Sequence, residues 1–288
     1  MKNKKIIIFL SIIAIFLLIA IFNYKQADGN LHVYFLNVGQ GDAIYLSGPS
    51  GEDILIDGGP DKSVVFELGK VMKFYDRDLD LLILTHPDSD HLNGLIDVIK
   101  KYRVKMIVYS GEVDDSLEYK AWQEEINEYK IPIMPVKKGS KILIDNQIKL
   151  EVLYPFNYLI NQEGSGNNNK NSLIMKLSYK DIDFLLTGDA EEVVENNLLK
   201  SQVNLESEFF KLPHHGSRNG LGNKKEILKI INPHLAIISV GKNRYGHPHS
   251  EIINLLKENK IDYLRTDEKG TIEVITNGKD YQIKTERL

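Results

Sequence analysis

Apolar positions along this chain fall into two patterns. From Ile6 to Phe22 they form a block interrupted only by Ser11, about 17 residues long, the short end of what can span a bilayer. No amphipathic period runs through the block, which argues against a core helix. After the polar stretch Lys25 to Asn30 the runs become short and alternate between strand and helix periods to the end of the chain. The pattern predicts strands over Leu31–Val38, Ala43–Leu46, Ile54–Asp57, Leu79–Thr85, Lys105–Tyr109, Leu173–Ser178, Asp183–Thr187, Glu208–Leu212 and His234–Val240. It predicts helices over Lys62–Phe74, Leu92–Tyr102, Ser116–Tyr129, Glu191–Lys200, Lys224–Ile231 and Ser250–Asn259.

Turn chemistry punctuates these runs. Gly39-Gln40-Gly41-Asp42 and Gly48-Pro49-Ser50-Gly51 separate the early strands, Tyr179-Lys180-Asp181 reads as a hairpin turn, and Asn146 closes a hairpin between Lys141–Ile144 and Ile148–Leu153. The longest irregular stretch, Asn157–Asn171, is either a disordered loop or a loop beside a site. No internal repeat or second linker appears, so residues 31–288 read as one domain. Strands first, then strand–helix units in both halves, imply an α/β fold of two packed sheets with helices outside. A doubly wound parallel sheet is the competitor, and the early hairpins count against it.

The apolar block reads as an N-terminal transmembrane helix within residues 1–24, followed by a linker over residues 25–30. Small residues do not stand at cleavage positions after it, so a retained signal anchor is favoured over a cleaved signal peptide. Lys2, Lys4 and Lys5 precede the block and Lys25 follows it, which places the N-terminus in the cytoplasm and the domain outside the cell membrane.

Composition narrows the chemistry. The 288 residues include no cysteine, which excludes a disulfide scaffold, a Cys-ligated zinc fold and a thiol nucleophile. A formal charge of −4 argues against a broadly basic polyanion-binding surface but leaves room for a local one. The 42% apolar and 26% charged content is that of a folded protein.

One stretch concentrates chemistry: Thr85-His86-Pro87-Asp88-Ser89-Asp90-His91-Leu92-Asn93-Gly94 follows a buried strand and opens a helix. Four potential ligands crowd into it, and a divalent cation would supply the charge that holds them together. A solvated turn with Asp90 as helix N-cap is the alternative, but capping needs one residue, not four. Asp57 in Ile56-Asp57-Gly58-Gly59, Asp189 in Thr187-Gly188-Asp189, the pair His214-His215, and His247 and His249 also end strands or follow them. Singly each is weak; together they suggest a convergent metal centre at strand ends.

The ordered set resembles the metallo-β-lactamase superfamily, and within it the hydrolase-like domain of ComEC-type competence proteins. The matching stretches are Asn37–Asp42, Ile56–Gly59, Thr85–His91, Thr187–Asp189, Pro213–Ser217, Asn243–His249 and Arg265–Asp267. The resemblance implies an αββα sandwich whose edge site hydrolyses with a metal-activated water. It assigns Asp90 and His91 to one metal, joined or bridged by Asp189 and completed by one of His214 and His215, with His215 favoured because it precedes the glycine. His86 and Asp88 would hold a second metal. Asp57 and Ser172 would support ligands without binding, and Asp90, Asp189 and His247 would carry catalysis. His247 and His249 are placed to contact a phosphate or to protonate the leaving group.

Two departures from the superfamily's commonest pattern matter. Asp88 stands where a second histidine is usual, and Asn167–Ser172 offers no further histidine. Both trade nitrogen for oxygen ligands, moving the expected cofactor from Zn²⁺ toward Mn²⁺ or Mg²⁺ and leaving one or two ions open.

The resemblance points to phosphodiester cleavage of DNA, with a single strand as partner. Arg218, Lys224, Lys242 and Arg244 would bind phosphate if the strand ends share an edge, or else form a merely solvated loop. Tyr245 would stack a base or simply pack. The alternatives are hydrolysis of a cell-envelope phosphodiester, lactone or amide, and metal-dependent DNA binding without turnover. The polytopic channel of the full competence proteins has no counterpart here, so a role in DNA uptake calls for a separate channel protein.

Overall fold

The computed structural model describes residues 2–24, 28–144, 146–160, 168–201, 203–220 and 225–288. Residues 25–27 of the expected linker, 161–167 of the irregular stretch and Lys224 lie outside the described residues.

Among the described residues, two large sheets face each other. The first has eight strands in the order 281–285, 272–276, 31–35, 44–47, 53–56, 81–83, 107–109 and 133–135. The second has seven, in the order 262–265, 235–238, 209–211, 182–186, 174–179, 148–154 and 141–143. Each sheet is antiparallel on the side built from hairpins and parallel on the side built from strand–helix units. This is the αββα sandwich, and the hairpins at Tyr179-Lys180-Asp181 and around Asn146 fall as expected.

Burial follows the strand period. In Leu31–Phe35 the alternate residues Leu31, Val33 and Phe35 are buried between the sheets, in one core with Leu150, Leu177 and Phe184 of the second sheet. The outer face of the first sheet is covered by helices Ser63–Val71, Ser89–Lys101 and Leu117–Tyr129, through Leu68, Leu95, Val98 and Trp122. Helices Glu192–Lys200, Lys225–Ile231 and Ser250–Glu258 cover the second, through Leu198, Ile227 and Leu256.

Two differences from expectation concern the ends of helices, and a third concerns whole strands. The helix expected from Leu92 begins at Ser89, with Asp88 rather than Asp90 at the N-cap. The helix expected to reach Phe74 stops at Val71. The strands Asp262–Arg265, Ile272–Thr276 and Tyr281–Thr285 are not anticipated by the pattern, because charged and polar residues break up their apolar runs; the last of them is an exposed sheet edge.

The N-terminal segment is helical over Lys2–Tyr24, and its apolar side chains from Ile6 to Leu18 are exposed. Among the described residues no helix is long and apolar enough to cross a membrane. Asp28 and Gly29 already touch the domain: Asp28 pairs with His32 at 3.1 Å, and Tyr179 donates a hydrogen bond to the Gly29 carbonyl at 3.3 Å.

Candidate metal centre

The parallel strands of both sheets end at one edge of the sandwich, and every acid or imidazole singled out by the sequence follows one of those ends. Two glycines make the convergence possible. A Cβ on Gly94 would collide with the Gly58 carbonyl oxygen, and one on Gly58 would sit 2.5 Å from the Leu95 nitrogen. Only bare backbone lets the helix Ser89–Lys101 approach the loop after Ile56 so closely. That approach sets Asp57 against His91.

Asp90, His91, Asp189 and His215 come together, each with a ligand atom within 4.8 Å of the others. His91 Nε2 lies 3.3 Å from Asp189 Oδ1; His215 Nε2 lies 3.2 Å from Asp90 Oδ2 and 3.3 Å from Asp189 Oδ2. Asp189 is itself steered by Ser172, whose hydroxyl accepts from the Asp189 amide at 3.2 Å.

Hydrogen bonding fixes which nitrogen of each imidazole faces the cluster. His215 Nδ1 lies 2.8 Å from the Ser239 carbonyl, which can only accept, so Nδ1 carries hydrogen. His91 Nδ1 donates in the same way to Asp57 Oδ2 at 2.8 Å. Thr85 gives its one hydroxyl hydrogen to Asp57, so His86 Nδ1 must donate to Thr85 Oγ1 at 2.9 Å. In all three rings Nε2 is the atom left to bind something else, the arrangement that supporting carboxylates and carbonyls give to metal-binding imidazoles. Nε2 of His86 and of His91 are buried and make no hydrogen bond. The donor set therefore fits a divalent cation.

Protons stand in for that charge. Burial disfavours imidazolium at His215, but Asp189, Asp42 and Asp90 outweigh it and push the ring up to about 10. Burial likewise opposes charge on His91, yet Asp189 and Asp57 raise it well above the ordinary range. Desolvation would raise Asp189, but His215, His91 and Lys211 hold it well below normal. A cation entering the cluster would displace the protons on these rings.

Backbone strain marks the same place. His214 and His215 both adopt left-handed conformations, φ 50° and 53°, and Asp57 does so at φ 60°. For residues with a Cβ this costs about 1 kcal/mol or more each, and such strain concentrates at functional sites.

The remaining expected residues spread around this core. His86 Nε2 lies 3.7 Å from Asp88 Oδ2, and Asp88, although the N-cap, makes no side-chain cap bond. His214 stands outside the four-residue group, its ring 5.5 Å from that of His247. A cleft of about 280 Å³ opens over the cluster, lined by Gln40, Asp88, Asp90, Asn169, His214, Tyr245 and His247 among others. His249 packs behind, 4.9 Å from the His247 ring. Burial, then the imidazoles of His214, His215 and His249, push His247 down to about 4. Arg244 lies over the Tyr245 ring at 5.6 Å and Lys242 is exposed. Arg218 does not line this cleft and pairs with Glu251 at 2.7 Å.

The profile of the metallo-β-lactamase superfamily matches residues 36–155. The chain belongs to the metallo-β-lactamase superfamily. It is 30% identical over 272 residues to ComE operon protein 3 of Bacillus subtilis (strain 168), covering 88% of this chain and 34% of that protein. It is 24% identical over 282 residues to recombination protein 2 of Haemophilus influenzae, covering 95% of this chain and 33% of that protein. The chain thus spans about a third of the length of these curated relatives. Among solved structures, a metallo hydrolase from Ignicoccus hospitalis superposes with a TM-score of 0.55 at 12% identity, covering 84% of this chain and 98% of that one. The fold is that of the superfamily's metal-dependent hydrolases.

Within the superfamily frame, several residues escaped the sequence reading. Asp42 and Lys211 form a buried ion pair, and Asp42 Oδ1 lies 3.5 Å from His215 Nδ1. Asp42 was visible in its glycine turn; Lys211 was signalled only by a cation inside a core strand. Asp42, Asp57 and His91 form a second close group, but Thr85 and His91 take the Asp57 oxygens and Lys211 pairs with Asp42. Glu112, buried just after Ile107–Tyr109, and the amides of Asn168 and Asn171 complete the surroundings.

Proposed function

We propose that the protein is a membrane-tethered, metal-dependent phosphodiesterase that cleaves DNA, with a cation held by Asp90, His91, Asp189 and His215. The observation that carries this reading is the convergence of three Nδ1-anchored imidazoles and their carboxylates beneath an open cleft. A divalent cation bound there supplies an acidified water and positive charge for a phosphoryl oxygen. Two carboxylates and two imidazoles suit Mn²⁺ or Zn²⁺, and Mg²⁺ is the alternative to test.

The chain's own residues would do the rest. Asp57 and Ser172 hold His91 and Asp189 in register. His247, neutral in the free site, would gain a proton when a phosphate approaches and hydrogen-bond to it or protonate the leaving oxygen. Tyr245, backed by Arg244 and 5.6 Å from the His247 ring, offers a stacking face at the cleft. Lys242 and His249 would add phosphate contacts. Kinship with a protein named for recombination supports DNA as substrate, and a single strand is the form we propose. The exposed apolar side chains from Ile6 to Leu18 support a single-pass anchor, and the lysines that precede the block support a domain outside the cell membrane. A separate channel protein would then supply any transport.

Full-length protein in detergent micelles, given Mn²⁺ and labelled single- and double-stranded DNA, tests the reading. Cleavage abolished in Asp90→Ala is the expected result. Binding without cleavage under every metal would favour a non-hydrolytic DNA-binding module. Hydrolysis of a generic phosphodiester while DNA stays intact would move the substrate to the cell envelope.

A further inference from the structure

The turn Gly39-Gln40-Gly41-Asp42 gives no ligand to the four-residue cluster, yet it is built against it. The Asp42 amide donates to the Asp90 carbonyl at 3.2 Å, and a Cβ on Gly41 would collide with the same oxygen. Asp42 Oδ1 is buried with no hydrogen-bond partner among the described residues and lies 3.5 Å from His215 Nδ1. Its other oxygen, Oδ2, pairs with the Lys211 ammonium. Lys211 reaches across from the second sheet, at the end of the strand Phe209–Lys211 that leads to His214 and His215. Its side chain has no exposed surface, and its ammonium also donates to the carbonyl of Gly188, the residue before Asp189, at 3.4 Å.

We propose that Asp42 and Lys211 are a positioning pair for the metal centre. Their contact ties the two sheets together so that Asp90 and His91 from the first meet Asp189 and His215 from the second at the spacing of one cation. The inference rests on the metal-hydrolase reading above and deepens it. Stability does not account for the pair, because two charges taken fully out of water are often no more stabilising than apolar side chains of similar volume. Placement does account for it. Asp42 touches the main chain of one ligand, Lys211 touches the main chain beside another, and the unbonded Asp42 oxygen faces the ring of a third. Asp57 has the corresponding place behind His91, where it takes the Nδ1 hydrogen directly. His215 gives that hydrogen to the Ser239 carbonyl, so Asp42 steers the ring by its charge.

Metal affinity, read without turnover, tests this. Full-length protein in detergent is titrated with Mn²⁺, followed by electron paramagnetic resonance, and with Co²⁺, followed by visible absorption. The double variant Asp42→Asn, Lys211→Met removes both charges together, so none is left buried without its partner and the thermal stability of wild type should be kept. It should nevertheless bind Mn²⁺ about ten- to a hundredfold more weakly, and its Co²⁺ bands should shift because the ligands are no longer held at the same spacing. Should the double variant not fold, Asp42→Asn alone keeps the shape and an oxygen for the Lys211 ammonium, and should show the same loss. Lys176→Met with Asp183→Asn is the control: it removes a largely buried pair at 2.7 Å within the second sheet, away from the cluster, and should leave affinity unchanged. Wild-type affinity and Co²⁺ bands in the folded Asp42 variant would overturn the proposal. So would an equal loss in the control, which would trace the effect to a loosened sheet. Wild type that binds neither ion refutes the metal reading itself, a result distinct from these.

Discussion

Opposite ends of the first sheet both set acids beside imidazoles, and they solve the problem differently. At the end where the strands begin, His32 faces Glu273 through Nδ1 at 2.8 Å and Asp28 through Nε2 at 3.1 Å. Both ring nitrogens meet carboxylates, so the ring is satisfied as a cation; the Glu273 hydrogen bond, against the cost of burial, raises its pKa. Tyr45 donates to Asp53, whose amide donates to Asp80. None of His32, Tyr45 and Asp53 has a buried side-chain atom lacking a partner among the described residues. At the other end, His86 and His91 each commit one nitrogen and leave the other buried without a hydrogen bond, His91 Nε2 facing Asp189 only at 3.3 Å. Paired acid and imidazole are therefore not enough to mark a site. The unspent nitrogen is.

The largest expected effect lies at the unspent end. Asp189→Asn removes the carboxylate shared by His91 and His215, and should lower Mn²⁺-dependent hydrolysis roughly a thousandfold or more, the upper range for losing one electrostatic partner of a reaction. Metal content measured on the same sample should fall with it. Metal affinity in the wild type should climb between pH 6 and pH 9, because His215 sits at about 10 when metal-free and must give up a proton to bind. Titration calorimetry over that range would refute the displacement picture if affinity were flat.

Asp57→Asn is a smaller break at the same end. The side chain keeps an oxygen for Thr85 but loses the charge that holds His91 Nδ1. Cation affinity should drop about ten- to a hundredfold, with the circular dichroism spectrum unchanged.

At the satisfied end the expected effect is on stability alone. Burial, reinforced by Asp76 and Asp80 and opposed by the Tyr45 hydrogen bond, pushes Asp53 up to about 6. A folded-state value above the unfolded 3.8 means the folded form favours the proton. That contribution is whole below about pH 4 and is lost as pH rises through about 6. Asp53→Asn should therefore stabilise the protein by about 2 kcal/mol at pH 7.5 and by little at pH 4, with metal content unaltered. Denaturant melts at the two pH values decide it; equal shifts at both would remove the charge from the explanation.

Much of this was readable along the chain, for definite reasons. Strand ends, glycine turns and the crowding in His86–His91 are local features, so the fold class and the main cluster emerge from sequence order. Glu112, Asp42 and Lys211 do not, because each acquires meaning only across the sandwich: Glu112 from Asn171, Asp42 from Lys211 on the other sheet. The C-terminal strands were hidden for a different reason. Their pairing is set by the edge they join rather than by a continuous apolar run.

The basic residues give the finest test of this distinction between local and spatial information. In sequence, Arg218 and Arg244 are equivalent candidates for phosphate. In the structure Arg218 is engaged by Glu251 on the surface, whereas Arg244 backs Tyr245 at the cleft. Arg244→Ala should weaken single-stranded DNA binding several-fold, about the loss of one stacking or cation–π contact. Arg218→Ala should change it by less than about twofold, as expected for an exposed ion pair. Fluorescence anisotropy with a short labelled oligonucleotide at fixed salt would separate the two. Equal losses would mean that the nucleic acid tracks across the Ser250–Glu258 helix instead of along the Tyr245 side of the cleft.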